Sequence, residues 1–147
     1  MQFTNEQVNT ALLIIRVTLG VIFFAHGAQK VMGWYGGYGL KGTTGYFKTA
    51  MGIPITMGYL SAFTEFFGSM FLIFGFLTRL AALGILINMI VAIIKAHLPT
   101  GFFMNWNNEA NRGEGYEFSM TLALIALVLV IAGAGQFSLD NVLKLWI

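Results

Sequence analysis

Five side chains with acid–base or hydrogen-bonding chemistry lie inside stretches of this 147-residue chain that are otherwise apolar: Arg16, His26, Glu65, Asn88 and Lys95. A charge at the centre of a bilayer costs about 2.5–3.5 kcal/mol on insertion scales, so such residues in a membrane segment indicate a functional site. A carboxyl group can exchange protons with a ligand, and a histidine can do so near neutral pH. The set therefore predicts proton transfer or ligand binding in apolar surroundings.

The elements that carry these residues are four long apolar stretches, at residues 8–31, 57–77, 80–98 and 118–134. Each is near the ~20 residues that an α-helix needs to cross the hydrocarbon core. The composition agrees, because 57% of the residues are hydrophobic, 10% are charged and the mean hydropathy is +0.76. A soluble domain has about 25% charged residues. The sequence thus predicts an all-α, integral membrane four-helix bundle, with residues 1–147 as a single domain.

The charge and cysteine content exclude several classes of protein. The net charge is +2 and the pI is about 9.0, but the eight Lys and Arg residues form no basic run, so a nucleic-acid partner is not expected. The absence of cysteine excludes disulfides, thiolate metal sites and a CxxC redox pair. The first ten residues contain Glu6 and no Lys or Arg, so we expect the first apolar stretch to remain as a permanent span.

The segments between the stretches predict the topology. Residues 33–39 are rich in glycine and tyrosine, and residues 43–51 have the mixed pattern of a short helix at the membrane interface. Only residues 77–79 join the second and third stretches, so these spans must form an antiparallel hairpin. Residues 136–147 predict a short amphipathic tail helix. Four spans place both termini on one side of the membrane, and the loop charges do not decide which side.

Helical spacing groups the polar residues into stripes. At 100° per residue, three basic side chains share an arc of about 80° around the first span: Arg16, His26 and Lys30. In the third span, Asn88 and Lys95 are nearly aligned, whereas His97 is expected to point away from Lys95. We therefore expect Asn88 and Lys95 to face the interior and His97 to face outward, unless the helix unwinds before Pro99.

Depth along the helices suggests partners for the buried carboxyl group. At ~1.5 Å per residue, Glu65 and Asn88 lie near the middle of the membrane, and Arg16 lies on the side of the termini. A lone carboxyl group at this depth would be protonated or paired. We expect Arg16 or Asn88 to contact Glu65, with His26 as a third partner. Three charged residues are expected near the opposite, loop side: Lys30, Lys95 and Glu117.

These placements give the candidate site residues. We expect His26 and Glu65 to be catalytic, and the ligand-binding candidates are Arg16, Lys30, Asn88, Lys95, His97 and Glu117. Structural interpretations also exist, because an Arg16–Glu65 pair can be a clamp between helices and lysines can extend to the interface. Two histidines on facing helices can hold a haem, but His97 is expected to face outward. We therefore predict no metal site and no tightly bound cofactor.

The chain also carries short motifs in a specific order and spacing. They lie at residues 13–20, 25–30, 33–34, 42–43, 52–54, 65–68, 77–82, 97–99, 101–103, 115–117 and 138–140. Together they resemble the DoxX family, and the resemblance covers nearly the whole chain. The family consists of small four-helix integral membrane proteins, so the resemblance implies a multi-pass protein of the bacterial inner membrane.

The resemblance implies two classes of function. Related chains include the membrane subunit of a thiosulfate:quinone oxidoreductase, which implies a redox subunit with a quinone site between helices near the loop side. There His26 or Lys30 would bond a quinone carbonyl, and Glu65 would handle protons. Such a subunit needs an electron-donating protein partner, and a homo-oligomer within the lipid bilayer is a further expectation. The alternative is a non-enzymatic membrane module that passes a small solute or holds a partner.

Overall fold

The structure, a computed structural model, describes residues 4–145 and is all-helical over that range, without a strand. The α-helices are α1 (Asn5–Met32), α2 (Gly39–Met51), α3 (Ile55–Phe74), α4 (Thr78–Ala92), α5 (Glu117–Ala132) and α6 (Leu139–Val142). α4 continues as a π-helical turn over Ile93–His97 and a 3₁₀ turn over Leu98–Thr100, and another 3₁₀ turn covers Trp34–Gly36.

Three helical segments are long and apolar enough to cross a membrane: α1, α3 and the continuous segment Thr78–Thr100. α5 is a shorter apolar helix of 16 residues, about 24 Å long at 1.5 Å per residue. The stretches predicted at residues 8–31, 57–77, 80–98 and 118–134 each overlap one of these helices, although the second extends past the end of α3 at Phe74. The predicted all-α, integral membrane four-helix bundle is confirmed.

The four apolar helices form a ring. α1 packs along α3, α3 along α4 and α4 along α5, and α5 returns to contact α1. Large apolar side chains from all four helices are fully buried in the centre: Leu19, Phe23, Leu72, Ile85 and Leu129. Large apolar side chains are also exposed on the outside of each helix, among them Ile14, Phe67, Ile87 and Ile131. Lipid tails are as apolar as these side chains, so this outer surface suits a bilayer.

Glycine lets α1 and α3 approach closely. A Cβ atom on Gly27 would lie 2.6 Å from the backbone of Phe66, and one on Gly20 would lie 3.0 Å from the backbone nitrogen of Ile73. Small residues at helix interfaces in membranes permit such contacts. These two contacts fix the axial register of the antiparallel pair, and the register decides which side chains can meet across it.

The ring has two different ends. The loop end contains residues 33–54 and 98–116, and the terminal end contains residues 75–77 and 133–145. α2 lies at the loop end and packs against both α1 and α3. It is the predicted short helix of the first loop, although it begins at Gly39 rather than at residue 43.

The tail helix is much shorter than predicted. α6 forms one turn, Leu139–Val142, and its N-cap residue Ser138 accepts a hydrogen bond from the backbone nitrogen of Asn141 at 3.2 Å. The helix ends because Lys144 has φ of +54° and the backbone nitrogen of Leu145 donates to the carbonyl oxygen of Asp140 at 2.8 Å. Such a left-handed residue with a reversed hydrogen bond is a common helix stop. The last two residues of the predicted tail, 146–147, lie outside the described range.

Candidate ligand site

A cavity of about 410 Å³ lies in the loop end of the ring, bounded by all four apolar helices, α2 and the loop before α5. Its polar lining comes from several elements: His26, Lys30, Ser61, Glu65, Asn88, His97, Glu114 and Ser119. Most of the remaining lining is aromatic or methionine: Phe23, Tyr46, Phe47, Met51, Met89, Met104 and Phe118. Ligand sites are typically apolar cavities of about 300–1,000 Å³ with a few convergent polar groups, and this cavity has both properties.

The predicted site residues divide into two groups. Those that line the cavity are His26, Lys30, Glu65, Asn88 and His97. Those that lie outside it are Arg16, Lys95 and Glu117. The structure therefore brings five of the eight predicted site residues together at the cavity. Arg16, Lys95 and Glu117 lie elsewhere in the fold.

Glu65 is paired with Lys30 and not with Arg16, so the predicted Arg16–Glu65 contact is wrong. Nζ of Lys30 lies 2.5 Å from both Oε1 and Oε2 of Glu65. The Glu65 side chain is 3% exposed and that of Lys30 is 25% exposed, so the carboxylate is the buried member of the pair. A buried charge without a partner costs several kcal/mol, which explains why this glutamate sits within reach of a lysine.

The position of Lys30 is fixed from α2 as well as from α3. Nζ lies 5.7 Å from the centroid of the Phe47 ring, a cation–π distance, and Oγ1 of Thr43 lies 3.5 Å from the Lys30 carbonyl oxygen. An ammonium group has three protons, and Glu65 accepts two of them. The third proton has no hydrogen-bond acceptor among the described residues, and Lys30 lines the cavity.

Arg16 closes the opposite, terminal end of the ring. Its NH1 donates to the carbonyl oxygens of Leu72 and Ile73 at 2.7 and 2.9 Å, and its NH2 donates to that of Phe137 at 2.6 Å. Leu72 and Ile73 belong to the last turn of α3, where carbonyl groups lack helical partners and the helix dipole is negative. Arg16 is 1% exposed. Its charge is therefore compensated by a helix end.

Asp140 also stabilises the terminal end of the bundle, a role that the sequence did not predict. Its two carboxylate oxygens accept hydrogen bonds from the backbone nitrogens of Leu77 and Thr78 at 2.7 and 2.9 Å. These nitrogens begin α4, where the first N–H groups have no helical acceptor. Asp140 is thus an N-terminal cap from a distant segment, and α6 is docked onto the turn between α3 and α4. An aspartate followed by asparagine at the C-terminal end gives no sequence signal for such a contact.

Asn88 lines the cavity from α4 but does not contact Glu65. Its Nδ2 donates to the carbonyl oxygen of Ser61 at 3.1 Å, which ties α4 to α3 beside the cavity. The predicted contact between Asn88 and Glu65 is therefore wrong, although both side chains face the same space. The amide oxygen of Asn88 has no partner among the described residues.

The orientation predicted for Lys95 and His97 is reversed. His97 lines the cavity, whereas Lys95 is exposed and lies outside it. The prediction assumed 100° per residue to the end of the helix, but Ile93–His97 is π-helical. A π-helix bonds i to i+5 and so turns less per residue, which rotates His97 toward the inside.

His97 is held by the loop that precedes α5. Its Nδ1 lies 3.0 Å from the carbonyl oxygen of Glu114, and the hydroxyl of Thr100 lies 2.6 Å from the same oxygen. The Glu114 side chain also accepts from the backbone nitrogen of Asn105 at 2.8 Å. The loop and the end of α4 therefore form one connected wall of the cavity.

Glu117 organises this loop instead of lining the cavity. Its Oε1 accepts hydrogen bonds from the backbone nitrogen of Met104 at 3.0 Å and from Nε1 of Trp106 at 2.9 Å. Two polar residues that sequence reasoning missed, Glu114 and Ser119, line the cavity in its place. Glu114 sits in an irregular loop without a periodic signal, and serine is too common in membrane helices to single out.

His26 lines the cavity and is exposed, so it connects the cavity with the outer surface of the helix bundle. The imidazole ring of His26 is tilted against the phenyl ring of Phe23, with centroids 6.4 Å apart. Within residues 4–145 its ring nitrogens have no hydrogen-bond partner. The same residues contain no group of three or more metal-binding side chains of the His, Cys, Asp or Glu type.

Comparison with known proteins identifies similar membrane proteins. A family model described as DoxX matches residues 11–98. The Bacillus subtilis (strain 168) protein named "Putative oxidoreductase CatD" is 30% identical over 136 residues, which are 92% of this chain and 89% of that protein. "Inner membrane protein YqjF" of Escherichia coli (strain K12) is 30% identical over 140 residues, 94% of this chain and 96% of that protein.

A Mycobacterium tuberculosis (strain ATCC 25618 / H37Rv) protein named "Uncharacterized membrane protein Rv3486" is 28% identical over 136 residues, 89% of this chain and 80% of that protein. No solved structure matches the chain significantly. The similarity to these relatives extends over about nine tenths of the chain.

Proposed function

The chain belongs to the DoxX family, and we propose that it is the membrane subunit of an oxidoreductase system that binds a quinone in the cavity at the loop end. The observation that carries this proposal is the Lys30–Glu65 pair, which presents a fixed ammonium group to an apolar cavity. The name of the Bacillus relative, an oxidoreductase, agrees with this proposal.

Each polar group of the cavity has a role in the proposal. Glu65 holds Lys30 in place, and the free proton of Lys30 hydrogen-bonds one ligand oxygen. His26 is exposed at the cavity and exchanges protons with the surface. The aromatic and methionine side chains of the cavity contact the faces of the quinone ring and exclude water, which strengthens these polar interactions.

Reduction of a quinone to a quinol takes up two electrons and two protons. The chain's own residues supply a proton route through His26 and Lys30. In this proposal a partner protein with a redox centre supplies the electrons. The absence of cysteine rules out a thiol pair or a cysteine-ligated iron–sulfur cluster within the chain as their source. Such a partner would dock at the loop end, where the cavity reaches the surface.

The topology that fits this function has four spans, with both termini on one side of a bacterial inner membrane. The hairpin of α3 and α4 and the ring order of the helices support it. The 16-residue α5 is the shortest span, and interfacial aromatic residues before it, such as Trp106, would anchor its loop at the headgroups.

The second candidate is a membrane module that passes a small solute. The packing of the terminal end favours a binding site instead, because Arg16 and Asp140 fill that end with buried, hydrogen-bonded charges. A solute in the cavity would have no path past them without breaking these contacts.

The test is calorimetry of the protein in lipid nanodiscs with ubiquinone-1, a short-tailed quinone. We expect binding by the wild type, and at least tenfold weaker binding by the double variant Lys30→Met/Glu65→Gln, which removes the donor without leaving a buried charge. Lys48→Met is the matched control, because Lys48 is an exposed lysine of α2 that does not line the cavity. A folded wild type that binds no quinone would contradict the proposal and favour the module.

A further inference from the structure

His97 reaches the cavity only because α4 changes its hydrogen-bond pattern. π-helical turns are rare and occur frequently at functional sites, where they re-aim side chains. In this turn, Ile93–His97, the result is that Lys95 is exposed and His97 lines the cavity. Because of this turn, the imidazole of His97, and not the ammonium group of Lys95, lines this wall of the cavity.

The hydrogen bond at Nδ1 fixes the tautomer of the His97 ring. A backbone carbonyl oxygen can only accept, so Nδ1, at 3.0 Å from the Glu114 oxygen, must carry the proton. In the neutral ring the other nitrogen, Nε2, is then a hydrogen-bond acceptor. Nε2 has no partner among residues 4–145, and the ring lines the cavity.

Among the polar groups that line the cavity, two of opposite hydrogen-bonding character lie on different walls. Lys30 on α1 is a donor with one free proton, and Nε2 of His97 beyond α4 is an acceptor. The oxygens of a quinone can only accept, so a quinone satisfies Lys30 and leaves Nε2 facing another lone pair. The hydroxyl groups of a quinol both donate and accept, so a quinol satisfies both groups.

We infer that the cavity binds a quinol more tightly than the corresponding quinone, with a ligand hydroxyl donating to Nε2 of His97 and the other oxygen accepting from Nζ of Lys30. This inference rests on the proposed function. By thermodynamic linkage, tighter binding of the reduced form makes the bound quinone easier to reduce. A tenfold preference corresponds to about 30 mV for a two-electron couple.

The tautomer itself is open to direct observation. The chain has only two histidines, so ¹⁵N-histidine labelling gives two rings, and the variant His97→Phe assigns them. In the neutral ring we expect His97 to carry its proton on Nδ1, because that nitrogen faces the Glu114 carbonyl oxygen. A ring protonated on Nε2, or on both nitrogens, would overturn the inference.

The affinity test compares ubiquinone-1 with its quinol by anaerobic calorimetry in nanodiscs. We expect the wild type to prefer the quinol about tenfold, the worth of one neutral hydrogen bond with its desolvation cost. His97→Phe should remove the preference by weakening the quinol and not the quinone. Lys95→Met, in the same π-helical turn but outside the cavity, should keep it.

The outcomes separate this inference from the proposed function. If neither form binds to the folded wild type, the proposed function fails. If both forms bind and His97→Phe leaves the ratio of the two affinities unchanged, the quinone site stands and the role of His97 fails. If His97→Phe does not fold, His97→Gln is the second variant, because its amide oxygen can still accept a hydrogen bond. A wild-type protein that does not prefer the quinol would overturn the inference by itself.

Discussion

Nζ of Lys30 lies 2.5 Å from both carboxylate oxygens of Glu65, a residue 35 positions away on a different helix. The pair joins the end of α1 to the middle of α3 and forms one wall of the cavity. It gives the cavity a fixed positive group whose counter-charge is already in place.

The pair predicts a specific pattern in a double-mutant cycle. Lys30→Met should lower the free energy of unfolding in detergent by about 3 kcal/mol, because it leaves the buried Glu65 carboxylate unpaired. Glu65→Gln should lower it by less, because the Lys30 side chain that it leaves unpaired is 25% exposed. The double variant should lose clearly less than the sum. Reversible unfolding of all four proteins measures this, and additive losses would show that the two residues do not interact.

Arg16 should matter for stability and not for binding. Arg16→Met removes three hydrogen bonds to carbonyl oxygens and should cost about 2–4 kcal/mol of unfolding free energy. Arg79→Met is the control, since Arg79 is exposed and makes a single 3.3 Å contact with the Ile131 oxygen. Thermal unfolding and quinone calorimetry on both variants check this. A loss of quinone affinity in the folded Arg16→Met variant would contradict a purely structural role of Arg16.

Gly27 should tolerate no side chain. In Gly27→Ala the new Cβ would meet the Phe66 backbone at 2.6 Å, so α1 and α3 must separate, at about 1–3 kcal/mol. Gly45→Ala is the matched control in α2, where nothing lies within 4 Å of the added atom. We expect lower thermal stability for the first variant and unchanged or higher stability for the second. Equal melting temperatures would contradict the close packing of α1 on α3.

The absence of cysteine makes the topology easy to test. Single cysteines at Tyr38 and Asn108, both exposed at the loop end, should react with a membrane-impermeant reagent from one side of the membrane. Cysteines at Thr4 and Lys144 should react from the other side. Reaction of Thr4 and Lys144 from opposite sides would contradict the four-span topology.

The sequence predicted the fold well because the bilayer imposes the length and polarity of each helix. It predicted the partner of Glu65 wrongly because helical periodicity gives an angle around one helix and no axial register against its neighbour. The contacts of Gly20 with Ile73 and of Gly27 with Phe66 set that register. They place Glu65 within about a turn of Lys30 and about 18 Å along the axis from the level of Arg16.

The sequence allowed an inward His97 only for a helix that unwinds before Pro99, and it gave no sign that this would occur. The spacing argument needs a constant rotation per residue, and the π-helical turn at Ile93–His97 breaks that condition. Pro99, which cannot donate a backbone hydrogen bond, signals the end of the helix but not how the preceding turn is wound. The capping role of Asp140 likewise depends on tertiary contacts, with the backbone nitrogens of Leu77 and Thr78, which a periodic sequence pattern does not reveal.

We propose that the cavity at the loop end holds a quinone. Photolabelling with an azidoquinone in nanodiscs, followed by mass spectrometry, tests it most directly. We expect labels on cavity residues such as Met51, Met89 and Phe118, competed by excess ubiquinone-1 and absent in the folded Lys30→Met/Glu65→Gln variant. Labels confined to the outer surface, at Phe67 or Phe74, or labels that excess quinone does not reduce, would contradict it.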